Sequence, residues 1–281
     1  MCIRDSISGV ILFDETIRQT NNEGVPFPEY LASLGIVPGI KVDKGAKELA
    51  ACPGETVTEG LDGLRERLNE YYDLGARFAK WRAVITIGDG IPSDACISVN
   101  AHALARYSAL VQASGMVPIV EPEVLMDGDH TIDTCFEVTA KVLDVVFSEL
   151  DNQKVVLNGI ILKPNMVISG TDASNRADVA TVARATVDCL TSHVPNEVPG
   201  IAFLSGGQSS EEATAHLSAM NELGPHPWQL SFSYGRALQA SPLRVWNGNE
   251  KNIEAAQTEF LKRSRLNGLA RTGNYLSLIH I

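Results

Sequence analysis

Three consecutive stretches decide the fold: RFAKWR at Arg77–Arg82, DACISVNAHALARYSALVQAS at Asp94–Ser114, and MVPIVE at Met116–Glu121. The first and third are short apolar runs of buried-strand type, and the long stretch between them has helical periodicity and ends at Gly115, a C-cap position. Strand, helix and strand in this succession form a βαβ unit, whose crossover makes the two strands parallel. Moving outward, the pattern repeats. Upstream lie GVILF (Gly9–Phe13), PGIKV (Pro38–Val42) and a helical stretch over Leu61–Leu74 that stops at Gly75. Downstream the helical stretches Ile132–Leu150, Arg176–His193 and Ser209–Leu223 alternate with the strand runs GIILK (Gly159–Lys163), GIAFL (Gly200–Leu204) and QLSFSY (Gln229–Tyr234). Ser209-Ser210-Glu211-Glu212 supplies a capping hydroxyl and acids at a helix start, and Gly224 stands where a C-cap is expected.

Strands recur at intervals of roughly 30–40 residues, the spacing of βα units. A doubly wound sheet would carry a G-x-G-x-x-G turn after its first strand, and this chain has none. The expected architecture is therefore an α/β (β/α)8 TIM barrel with the first strand–helix unit missing from this chain. No low-complexity linker interrupts it, which gives one domain over residues 7–275. MCIRDS (Met1–Ser6) and LSLIHI (Leu276–Ile281) share neither the turn chemistry nor the periodicity of their neighbours, and they read as non-native ends.

Composition narrows the function classes. Lys plus Arg is 23 and Asp plus Glu is 34, for a net charge of −11, so the overall field repels nucleic acid and anionic lipid. Any anionic ligand must be held by a local cluster of cations. Five scattered cysteines without a C-x-x-C pair point to reduced thiols and a cytoplasmic setting. No apolar run is long enough to span a bilayer, which implies no membrane partner. The six histidines form no H-E-x-x-H or comparable cluster, so no metal and no cofactor is expected.

Active sites of βα barrels lie at the carboxyl ends of the strands, and here those ends are charged. Lys41 follows PGI, Lys80 and Arg82 stand two apart in FAKWR, Glu121 and Glu123 stand two apart in VEPE, and Lys163 ends GIIL. Residues two apart on a strand share a face, so each pair can point into one cavity. Lys163 is the candidate nucleophile: burial at the end of an apolar strand and a neighbouring cation such as Lys80 both favour its neutral amine. Glu121 or Glu123 can then move protons. Ser205-Gly206-Gly207 directly precedes a helix, and the next strand ends in Ser233-Tyr234-Gly235-Arg236. Paired loops of this kind after the last two strands offer N–H groups, a helix dipole and a cation to a phosphate.

GVILFDET, GIKVDKG, FAKWR, VPIVEPE, ILKPNMV, FLSGGQSSEEA and FSYGRALQAS occur in that order between Ser8 and Tyr275. In this the chain closely resembles the class I fructose-bisphosphate aldolases. The resemblance implies a Schiff-base enzyme of glycolysis and gluconeogenesis that reversibly cleaves fructose 1,6-bisphosphate, usually as a homotetramer. It assigns Lys163 to the Schiff base, Glu121 to acid–base work, and Glu123, Lys80 and Arg82 to supporting roles. Ser205, Gly206, Gly235 and Arg236 fall at the site for one phosphate, and Lys41 lies toward the other. Two departures stand out, since the family's first-strand Ala-Asp-Glu-Ser segment and its tail with a terminal Tyr have no counterpart here. They imply impaired cleavage by this chain. Two rivals remain open on the residues alone: a sugar-phosphate-binding barrel without turnover, and a barrel isomerase or epimerase that uses Glu121 as a base.

Overall fold

The computed structural model describes residues 6–275, so the expected non-native ends fall, Ser6 apart, outside the described residues. In chain order the elements are β1 (Gly9–Leu12), α1 (Asp14–Ile17), α2 (Phe27–Ser33), β2 (Val37–Lys41), β3 (Ala46–Glu48), β4 (Thr56–Thr58), α3 (Leu64–Asp73), β5 (Phe78–Ile85) and α4 (Asp94–Ala113). They continue with β6 (Val117–Val124), α5 (Ile132–Asn152), β7 (Ile161–Leu162), α6 (Val179–His193), β8 (Gly200–Phe203), α7 (Ser210–Glu222), β9 (Gln229–Phe232), α8 (Arg236–Trp246) and α9 (Ile253–Ala270).

Seven strands form one sheet in the order β1-β2-β5-β6-β7-β8-β9, with every neighbouring pair parallel. All strand carboxyl ends therefore lie at one end of the sheet. Both faces are covered, as a parallel sheet requires: every β6 residue after Val117 is buried, and so are Trp81 and Tyr107, which pack ring against ring between β5 and α4. The Tyr107 hydroxyl donates to the Ala79 carbonyl at 2.6 Å and so fixes α4 to β5. The sheet curls until its two edges approach each other. Gly9 of β1 and Ser231 and Phe232 of β9 line one cavity of about 510 Å³, backed by Arg265 and Gly268 of α9. Among the described residues no ladder closes β1 onto β9, so the barrel-type sheet is open along this seam.

All seven expected strands are present, with differences at their ends. β7 keeps only Ile161–Leu162 because a 3-10 turn takes up Leu157–Gly159. Ser209 caps α7 reciprocally with Glu212, as the sequence suggested. Gly75 and Gly115 are left-handed just past their helices, whereas Gly224, expected to do the same, is not left-handed. The β3–β4 hairpin lies outside the barrel pattern. Its Thr58 and Thr56 hydroxyls donate to the Arg82 and Val84 carbonyls, which sets it against the end of β5.

Candidate active site

Strand register brings the charged residues together. Lys41 pairs in register with Lys80, and Arg82 with Glu121, while Lys163 leaves β7 with its N–H donating to the Val120 carbonyl at 2.7 Å. Glu121, 2% exposed, is the hub. Its Oε1 accepts from Lys163 Nζ at 2.6 Å, and Lys80 Nζ lies 2.9 Å from its Oε2. The Lys80 contact is an ion pair without hydrogen-bond alignment, and Oε2 has no hydrogen-bond partner among the described residues. The Glu121 carboxylate thus bridges the two lysines, with one oxygen on each. Alongside, Arg82 Nε bonds Glu123 Oε2, and burial of Glu123 brings a second carboxylate to the same face.

Burial pushes the Lys163 ammonium below the usual lysine range. The Glu121 carboxylate opposes that shift and the Lys80 charge reinforces it. This is the environment the strand-end position suggested: a lysine at 8% exposure beside a carboxylate, with a second cation disfavouring its charge. Such an amine can attack a carbonyl carbon, and the adjacent carboxylate can shuttle the protons that dehydration requires.

Sequence reasoning singled out Lys41 and passed over Asp43, two residues on and on the same face. Asp43 is buried, its Oδ1 accepts from Lys41 Nζ at 2.6 Å and from the Gly45 N–H at 3.1 Å, and its Oδ2 lies 3.8 Å from Lys80 Nζ. One carboxylate therefore orders two of the cations. Asn165 was missed as well. Its Oδ1 accepts from the Val124 N–H and its Nδ2 donates to Thr139 Oγ1 and the Met166 carbonyl, tying the segment after Lys163 to β6 and α5.

The second group of residues lies beyond β8 and β9, at the same end of the sheet. Ser205 is buried, Gly206 is left-handed at φ 55°, and a Cβ on Gly207 would meet Met126 Sδ at 2.9 Å, so both loop glycines have a steric reason. Arg236, the first residue of α8, donates from Nη2 to the Gly206 carbonyl at 2.6 Å and joins the two loops. Ser233 donates its N–H to the Phe203 carbonyl, and Gly235 caps α8. Among the described residues no group of three or more His, Cys, Asp or Glu side chains is placed to hold a metal.

Fold and site together define a class: parallel βα-barrel proteins with a lysine–carboxylate centre at the strand ends. Comparison with known proteins then gives the family. A family model described as "Glycolytic: Fructose-bisphosphate aldolase class-I" matches residues 1–280. A probable fructose-bisphosphate aldolase class 1 of Xylella fastidiosa is 60% identical over 274 residues, covering 97% of this chain and 82% of that protein. The cytosolic fructose-bisphosphate aldolase 4 of Arabidopsis thaliana is 51% identical over 270 residues, covering 96% and 69%. The aldolase of Plasmodium falciparum, solved in complex with TRAP and a small-molecule inhibitor, superposes with a TM-score of 0.96 at 49% identity, covering 98% of this chain and 80% of that one. The chain belongs to the class I fructose-bisphosphate aldolase family, enzymes that reversibly cleave fructose 1,6-bisphosphate to dihydroxyacetone phosphate and glyceraldehyde 3-phosphate. A binding barrel without turnover is not favoured by this relationship.

Proposed function

We propose that Lys163 carries the cleavage through a Schiff base, with Glu121 as its proton carrier. The neutral Nζ attacks the ketose carbonyl carbon. Glu121, holding the proton shed by Lys163 Nζ, gives it to the departing hydroxyl as water leaves, and the resulting iminium is the electron sink. When the bond between the third and fourth carbons breaks, its electron pair moves toward the iminium nitrogen, the fourth-carbon hydroxyl gives its proton to the Glu121 carboxylate and the aldehyde departs. Protonation of the enamine and hydrolysis free the second triose. The iminium stabilises the carbanion, so no metal and no cofactor is required. Lys80 and Glu123 support proton movement, and Arg82 and Lys41 hold substrate. Ser205, Gly206, Gly207, Ser233, Gly235 and Arg236 receive one phosphate.

A single observation carries this reading: Glu121 sits between two lysines, with Oε1 bonded to Lys163 Nζ and Oε2 paired with Lys80 Nζ. The barrel domain of residues 7–275 is proposed as a unit of a cytosolic homotetramer acting on a phosphorylated sugar. In support, relatives are named as cytosolic or cytoplasmic aldolases, and no helix among the described residues is long and apolar enough to cross a membrane. The test is an assay that couples triose phosphate release from fructose 1,6-bisphosphate to a reporter enzyme. Cleavage that disappears in Lys163→Met, while that variant still binds the bisphosphate, is the expected result. Cleavage that persists in Lys163→Met overturns it.

A further inference from the structure

His216 is a histidine that no step above uses, on α7 behind the Ser205–Gly207 loop. It is 5% exposed, and its Nδ1 lies 2.6 Å from Oε1 of Gln208, itself buried. The hydrogen-bond pattern around Gln208 assigns the donor. The Gln208 Nε2 faces two acceptors, the Ser205 carbonyl at 3.1 Å and Met166 Sδ at 3.6 Å, so its Oε1 must face a donor. His216 therefore carries its proton on Nδ1. Burial holds the ring neutral by lowering its pKa to about 4, with Glu212 opposing the shift and Arg176 adding to it.

The consequence lies one peptide further on. The Ser205 carbonyl accepts from both the backbone N–H and the side-chain amide of Gln208, at 3.1 Å each. In a planar trans peptide the carbonyl of Ser205 and the N–H of Gly206 point in opposite directions. Pinning the carbonyl inward thus turns the Gly206 N–H away from Gln208, while Arg236 holds the next carbonyl, that of Gly206. Without the His216 donor, the buried Gln208 Oε1 loses its partner and the amide loses the contact that orients its Nε2 onto the Ser205 carbonyl, which leaves that carbonyl only the Gln208 backbone N–H.

We propose that His216, acting through Gln208, is a positioning residue that aims the Gly206 N–H at the substrate phosphate. The proposal rests on the reading of this loop as a phosphate site. Its test compares borohydride trapping of the full chain by dihydroxyacetone phosphate with trapping by dihydroxyacetone, which lacks the phosphate. His216→Leu removes the donor at similar volume, and His216→Asn replaces it, because the Asn amide occupies the place of Nδ1. His216→Leu is expected to raise the half-saturating concentration of dihydroxyacetone phosphate about tenfold, the loss of roughly one hydrogen bond. Trapping by dihydroxyacetone stays unchanged, and His216→Asn restores the parent value. Equal weakening of both ligands in His216→Leu, or none for either, overturns the proposal, since a general structural defect moves both. Arg236→Ala separates the two levels. If it weakens dihydroxyacetone phosphate while His216→Leu does not, His216 has no positioning role; if neither does, the phosphate reading of the loop falls and the proposal with it.

Discussion

Replacing Glu121 by Gln removes one negative charge from between two buried ammonium groups and leaves the shape nearly intact. The carboxylate is 2.6 Å from Lys163 Nζ and 2.9 Å from Lys80 Nζ. At an effective dielectric of about 20 each contact is a gross attraction of about 6 kcal/mol. Much of that offsets the cost of burying the charges, and stranding one partner of a buried pair costs about 3–5 kcal/mol net. Lys163 has a way to avoid this penalty. Burial already depresses its protonation, so with Glu121 gone it sheds its proton more readily still. The unfolded chain, with an ordinary lysine, then binds more protons than the folded one over a wider pH range, and stability rises with pH wherever that holds. The stability gap between parent and Glu121→Gln should therefore be largest, about 3–5 kcal/mol, near neutral pH and shrink toward the ordinary lysine value of 10.5. Urea unfolding of both proteins near pH 7 and again two to three units higher measures it. Turnover falls about 10²–10⁴-fold at the same time, as expected for loss of a general acid–base group. A gap that stays constant or widens on the alkaline side refutes the charge balance argued here.

The other predictions concern the surroundings of this pair. Asp43→Asn leaves Lys41 and Lys80 without the carboxylate that orders them; steady-state assay should show a higher KM and a kcat lower by up to about 10²-fold, and unchanged constants would remove Asp43 from the site. Treatment with a chelator should leave cleavage unchanged, whereas loss restored by zinc contradicts the metal-free mechanism. Burial pushes the Cys96 thiol up to about 11 and that of Cys189 up to about 12, so iodoacetamide at neutral pH should spare both and label half-exposed Cys52 before them, as read by peptide mass.

The strand–helix repeat was legible because a parallel strand buried on both faces must read as an apolar run, and the helices between such strands must be amphipathic. VPIV at the start of β6 and the α5 stretch show this directly. The β3–β4 hairpin was not legible. AKE and TVT are only three residues each, AKE is exposed throughout, and the hairpin is held by two threonine hydroxyls bonded to β5 carbonyls, a tertiary effect. α8 carries Pro242 inside it, which disguises a helix. At the site, the charged strand residues stood out against apolar neighbours: Lys80 with Arg82, Glu121 with Glu123, and Lys163. Asp43, Asn165 and Gln208 did not, because they sit just past strand ends where such residues ordinarily make turns. The two-residue spacing of Lys41 and Asp43 was the one signal that could have flagged a shared face.

The central claim, that a neutral Lys163 is the attacking nucleophile, is tested most directly by reduction in the presence of dihydroxyacetone phosphate and borohydride, followed by peptide mapping. The expected result is a single reduced adduct on the peptide containing Lys163, formed faster as pH rises through the lysine's depressed titration. An adduct on Lys41 or Lys80 instead, or no adduct at all, contradicts it.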